Sequence, residues 1–129
     1  MLYVADTHSL IWFLTNDTRL GKRAAEVFRQ ADRSNVIIVL PIIVLAEAMY
    51  ICESKNAGIA FSDILKKLEF STNYVVHNLD LSVLKKAHAI TQLKEIHDRI
   101  IIATTQQINA KMITKDEEIV QSKSIETIW

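Results

Sequence analysis

The chain has 129 residues, half of them apolar and 23% charged, the balance of a soluble globular protein of one domain, 1–129. Two Gly, one Pro and one Cys exclude collagen-like, disordered and disulfide-stapled classes, and the lone Cys52 points to a reducing compartment. The 15 basic and 15 acidic side chains cancel, which by itself argues against a strongly nucleic-acid-binding surface.

Along the chain, Leu2-Tyr3-Val4-Ala5 reads as a buried strand, followed by a short helix over 8–15. A helix over 21–31 places Ala24, Val27, Phe28 and Ala31 on one stripe. Val36-Ile37-Ile38-Val39-Leu40 is β-branched and forms the second strand. Pro41 then stands where a first helical residue would, opening an almost wholly apolar helix over 42–54. The run from Val36 to Ala46 has 11 residues, against roughly 20 for a membrane-spanning helix. The first residues carry no basic stretch, and Asp6 interrupts their apolar run, so neither a signal peptide nor a span is expected and the location is cytoplasmic.

A further helix runs from Phe61 or Ser62 to about Leu68, and Tyr74-Val75-Val76 makes a third strand. Ser82 is the expected N-cap of a helix over 83–91. The last long helix is expected from Asp98 to Ile108, closed by Asn109 in a left-handed conformation. Lys111-Met112-Ile113-Thr114 is strand four, and Ile125-Glu126-Thr127-Ile128 is a weaker fifth. Strands alternating with helices imply right-handed crossovers and an α/β three-layer fold with its sheet covered on both faces.

In such a fold the residues directly after each strand gather at the carboxyl edge of the sheet. Asp6 ends strand one, Asp116 lies just beyond strand four, Glu47 sits in the second turn after strand two, and Asp98 opens the helix before strand four. Glu47 is the most informative of them. Its helical neighbours are Ile43, Val44, Tyr50 and Ile51, and no Lys or Arg lies within four residues. A carboxylate on an apolar face is unfavourable unless it is paired or binds a cation. Two carboxylates 5 Å apart repel by about 3 kcal/mol at an effective dielectric of 20, so four gathered acids call for a counter-charge. Hard cations such as Mg²⁺ or Mn²⁺ favour oxygen ligands, whereas zinc would want ligand-spaced His or Cys that this chain lacks. One or two such ions suit phosphodiester hydrolysis, lowering the pKa of a bound water and stabilising charge on phosphate and leaving oxygen. Setting those four acids aside leaves 11 acids against 15 bases, so the remaining surface is net basic by 4.

The motifs carry a resemblance. Asp6-Thr7-His8 with Leu10-Ile11-Trp12, Glu47 in its apolar helix, His97-Asp98-Arg99-Ile100-Ile101-Ile102-Ala103-Thr104, Thr114-Lys115-Asp116 and the final Ile128-Trp129 together resemble the PIN-domain family, in its VapC-like toxin subgroup. The resemblance spans the whole chain. It implies a three-layer α/β/α domain with a mostly parallel five-stranded sheet, a Mg²⁺- or Mn²⁺-dependent endoribonuclease, an RNA substrate, a homodimer and an inhibitory antitoxin. It maps the acidic site onto Asp6, Glu47, Asp98 and Asp116. Thr7 and Thr114 become candidates for orienting a carboxylate, and Arg99 for meeting substrate phosphate or bracing a carboxylate. Many relatives carry Pro-Phe where this chain has Ile96-His97, which leaves the local loop and the role of His97 open.

Other chemistries fit less well. A catalytically silent PIN module binding RNA or protein would keep the fold without needing all four acids. A phospho-acceptor receiver would want an acidic pair after strand one and an Asp ending strand three, where this chain has Asp6 alone and His77-Asn78. His8 reads as a structural hydrogen-bonder before a base, and Trp12 as a core or dimer-contact residue. Cys52 reads as a small buried residue. Lys66-Lys67 and Lys85-Lys86 read as solvated helix faces.

Overall fold

The computed structural model describes residues 1–129. Its elements are β1 (Leu2–Ala5), α1 (Thr7–Leu14), α2 (Lys22–Asp32), β2 (Ile37–Pro41), α3 (Ile42–Ser54), α4 (Phe61–Phe70), β3 (Tyr74–His77), α5 (Leu81–Ala89), α6 (Ile96–Gln107), β4 (Lys111–Ile113), α7 (Glu117–Ser122) and β5 (Thr127–Ile128). The five strands lie in the order β3-β2-β1-β4-β5, and every pairing is parallel. The sheet is thus wholly rather than mostly parallel.

Side chains of β1, β2 and β4 alternate between two apolar layers, whereas Val75 and Val76 of the edge strand β3 are exposed. Tyr3, Ala5, Ile38, Leu40 and Ile113 join Leu10, Phe28, Leu45 and Ile64 of α1 to α4. Val4, Val39 and Met112 pack on the other side with Val83, Ala87, Ile101, Ile102 and Ile119 of α5, α6 and α7. Phe13 stacks on Phe28 with ring centroids 4.7 Å apart, joining α1 to α2.

Several boundaries depart from expectation, each for a local reason. Pro41 is the last residue of β2 and the N-cap of α3, its fixed φ serving both. Asp80, not Ser82, caps α5, its side chain accepting from the Val83 N–H. Glu95 caps α6 by accepting from the Asp98 N–H, so α6 begins at Ile96 and Asp98 falls in its first turn. Asp116 caps an additional helix, α7, through the N–H groups of Glu118 and Ile119. Asn109 does take the left-handed conformation that ends α6, at φ 52°. No helix is long and apolar enough to cross a membrane.

Candidate active site

The strand order puts β1 and β4 side by side in the centre of the sheet, with Ala5 opposite Ile113. The Asp6 N–H continues the ladder to the Ile113 carbonyl at 3.3 Å. Asp6 and Asp116 therefore leave adjacent strands at one edge. The side chains of Asp6, Glu47, Asp98 and Asp116 all line one open pocket of about 260 Å³ there, with Thr7, His8, Glu95, Ile101 and Ile119. No Lys or Arg lines it.

Three of the four acids have one oxygen committed to the protein. Asp6 Oδ1 accepts from the Ser9 N–H at 2.9 Å as the N-cap of α1. Glu47 Oε1 accepts from the buried Thr7 hydroxyl at 2.8 Å. Asp116 Oδ1 accepts from the Glu118 and Ile119 N–H groups at 3.0 and 3.2 Å. The second oxygen of each has no hydrogen-bond partner in the protein, and Asp98 has none on either oxygen. The first turns of α1, α6 and α7 all border the pocket, so three positive helix ends help to hold its negative charge.

Asp98 is the most perturbed of the four. Burial against Ile101 and Ile119, and then the charges of Asp116, Glu95, Glu47 and Asp6, raise its pKa to about 6. Both of those isoleucines are nearly inaccessible.

Thr114 is buried, and its hydroxyl accepts from the Asp116 N–H at 3.1 Å, fixing the turn that presents that carboxylate. Arg99 is placed elsewhere. Its guanidinium donates to the Ala87 carbonyl at 3.1 and 2.9 Å and to the His88 carbonyl at 3.3 Å, so it ties α6 to the end of α5 and lines no part of the pocket. Adjacent residues on a helix face different ways, and Asp98 and Arg99 do so here.

Two further residues line the pocket: Glu95, which sequence did not single out, and His8, read there as a structural hydrogen-bonder. Glu95 adds a fifth carboxylate, with Oε2 on the Asp98 N–H at 2.8 Å and Oε1 against His97 Nδ1 at 2.7 Å. Burial works to raise the Glu95 pKa, but the hydrogen bonds from Asp98 and His97 outweigh it and lower it, while the bond to Glu95 raises that of His97. His8 lines the pocket and tilts against Trp12, with ring centroids 5.6 Å apart. The signal for Glu95 was its place three residues before a helical Asp. Glu is an unusual cap, and Asp98 itself looked like the start of the helix.

The donor set is all carboxylate oxygen, which fits a hard divalent cation. No three Asp, Glu, His or Cys side chains stand close enough together to hold one ion between them; the acids line an open hollow instead. That openness suits Mg²⁺, which takes one or two carboxylates and keeps several waters.

This fold and acidic edge define a class. The PIN domain family profile matches residues 3–123, and the chain belongs to that family. No curated protein sequence matches it significantly. Among solved structures it is similar to VapBC from Salmonella typhimurium bound to DNA, at 17% identity and a TM-score of 0.72, covering 99% of this chain and 98% of that one. It is also similar to VapBC2 from Rickettsia felis bound to a promoter DNA fragment, at 15% identity and TM-score 0.71 over 99% and 98% of the two chains. A third, Mycobacterium tuberculosis VapC20, described as a toxin that cleaves the sarcin–ricin loop, shares 13% identity at TM-score 0.65 over 98% of each chain. The chain therefore shares the fold of these proteins.

Proposed function

We propose that this protein is a Mg²⁺- or Mn²⁺-dependent endoribonuclease and the toxin of a toxin–antitoxin pair. The observation that carries the reading is the single pocket into which four chain segments bring Asp6, Glu47, Asp98 and Asp116, without any lining Lys or Arg. Each of these acids keeps at least one oxygen free of protein hydrogen bonds. In this reading those free oxygens hold one or two ions. A cation bound there supplies a lowered pKa for attacking water and stabilisation of charge on the phosphate.

The chain's own residues then act by positioning. Thr7 fixes the rotamer of Glu47, Ser9 and the first turn of α1 fix Asp6, and Thr114 with the first turn of α7 fixes Asp116. Asp98, raised toward neutrality by burial and its neighbours, gains most from a cation and so couples metal loading to pH. No side chain in the pocket stands out as a general base. RNA as substrate is supported by family membership and by the RNA-cleaving description of VapC20; an antitoxin partner is supported by the complexes in which the VapBC relatives were solved. The homodimer implied by the resemblance belongs to the same proposal.

Cleavage of total cellular RNA by purified protein in Mg²⁺ or Mn²⁺, against EDTA, tests it, with Asp98→Asn prepared identically. Cleavage that needs metal and is lost in the variant is expected. Cleavage that is equal in EDTA or in the variant would sink the assignment. A saturable metal site with no RNA cleavage would favour the catalytically silent binding module.

A further inference from the structure

The acidic pocket does not end at its four carboxylates. Asp6, His8 and Asp116 also line a second hollow of about 320 Å³, whose other walls are Trp12, Lys115 and Trp129. His8 and Trp12 continue into a third hollow, bordered by Arg19 and Lys55. Beyond His8 the lining is no longer carboxylate alone: Lys115 joins Asp6 and Asp116 beside the aromatic pair, and Arg19 and Lys55 join Asp17 in the third hollow.

The aromatic wall is a built feature. Trp12 is buried and meets Trp129 edge-on, with ring centroids 6.0 Å apart. Gly21 is what admits Trp129, since a Cβ at that position would lie 2.5 Å from the Trp129 carbonyl carbon and 2.6 Å from its ring. Arg19 Cζ lies 4.7 Å from the centre of the Trp12 ring and is held by Asp17, with Nη2 to Oδ2 at 2.8 Å. Lys115 Nζ lies 4.8 Å from the centre of Trp12 and 5.9 Å from that of Trp129. Unlike Arg19, Lys115 has no carboxylate within salt-bridge reach; the chain's ion pairs all involve other residues.

Lys115 does act on the Asp17 carboxyl, helping to lower its pKa, but it makes no salt bridge; a cation so placed, resting on indole faces beside an acidic centre, fits the anion that would flank a scissile phosphate. We propose that Lys115, Trp12 and Trp129 form the subsite for the nucleotide next to the scissile bond of a single-stranded RNA. The Lys115 ammonium contacts its phosphate, and the aromatic wall, chiefly Trp129, packs against its base. Aromatic packing of this kind tolerates any base, so the subsite contributes grip and strand direction more than sequence choice. This rests on the ribonuclease reading above and names how that site would hold its substrate.

Trp12 and Trp129 are the only tryptophans in the chain, so their fluorescence reports on the subsite directly. The test titrates the protein in Ca²⁺ with a 2′-O-methyl oligoribonucleotide of about 12 nucleotides, long enough to cover one binding site. Quenching that saturates is expected, with the midpoint shifted roughly tenfold weaker in Lys115→Gln, restored in Lys115→Arg and unmoved in Lys66→Gln. No quenching, or an unmoved midpoint in Lys115→Gln, overturns the subsite. Cleavage of unmodified RNA by the wild-type protein in Mg²⁺ is measured alongside. Cleavage without a Lys115-dependent midpoint removes the subsite and leaves the nuclease. Lys115-dependent quenching without cleavage keeps the nucleic-acid subsite and removes the nuclease.

Discussion

The Thr7 hydroxyl donates a 2.8 Å hydrogen bond to Glu47 Oε1, joining the first turn of α1 to the second turn of α3 across 40 residues of sequence. Thr7 is almost fully buried, so this contact both satisfies a buried hydroxyl and holds a carboxylate at the lip of the acidic pocket. Thr7→Val keeps the shape and removes the donor. The expected outcome is a loss of about 1 kcal/mol in stability and a roughly tenfold weaker Mn²⁺ affinity. Chemical denaturation and Mn²⁺ calorimetry on the same samples check the pair. Unchanged affinity would show that Glu47 is held without Thr7.

Asp98 makes the metal-free protein sensitive to pH. Its folded pKa of about 6 lies above its ordinary value of 3.8, because of burial first and neighbouring acids second. The folded state therefore takes up a proton between about pH 6 and 4 that the unfolded chain does not. The associated stability is fully present below the lower value and lost as pH rises through the upper one. With the group half exposed and screened, the increment is about 1 kcal/mol. Thermal melts in EDTA are expected to show wild-type protein gaining stability relative to Asp98→Asn as pH falls from 7 to 5. Parallel pH profiles for the two proteins would contradict the shift.

Arg99 belongs to the scaffold. Its guanidinium closes on the Ala87 and His88 carbonyls, where α5 ends without other side-chain capping. Arg99→Ala is expected to lower stability by about 2 kcal/mol, the scale for losing hydrogen bonds from a charged donor. Mn²⁺ affinity, measured well below the melting temperature, is expected to stay within twofold. A loss of affinity with normal stability would return Arg99 to the site.

Gly21 is required for space rather than for its backbone angles, since its φ of −63° is open to any residue. Gly21→Ala drives a methyl group into the Trp129 backbone and ring. A destabilisation of about 2 kcal/mol is expected from this overpacking, together with a change in near-ultraviolet circular dichroism as the Trp12–Trp129 pair separates. Wild-type stability with an unaltered spectrum would mean that Trp129 seats differently.

Much of this was legible in the residues. Val36 to Leu40 is too β-branched and too apolar to be anything but a buried strand, and the alternation of strands with helices dictated a parallel sheet. The position of each acid after its strand or at its helix start came from that topology. The features that escaped were decided by side-chain direction. Asp80 and Ser82 are both good caps, and only the backbone shows that Asp80 captures the Val83 N–H. Asp116 was legible as a strand-end acid, but its second task as the cap of α7 depends on the turn that Thr114 fixes. Arg99 neighbours Asp98 in sequence, yet one residue of helix rotates it toward α5. Glu95 hid behind Asp98 because acidic residues are equally at home at a cap and in a first turn.

The most direct measurement is Mn²⁺ binding by calorimetry to the wild-type protein and to Asp6→Asn, Glu47→Gln, Asp98→Asn and Asp116→Asn, with Glu69→Gln on exposed α4 as a control. If one pocket gathers these four acids around a cation, the wild type binds Mn²⁺ saturably. Each of the four neutralised variants then binds it at least about tenfold more weakly, while Glu69→Gln binds as the wild type does. Absence of saturable binding in the wild type, or unchanged affinity in two or more of the four variants, would contradict a shared metal site.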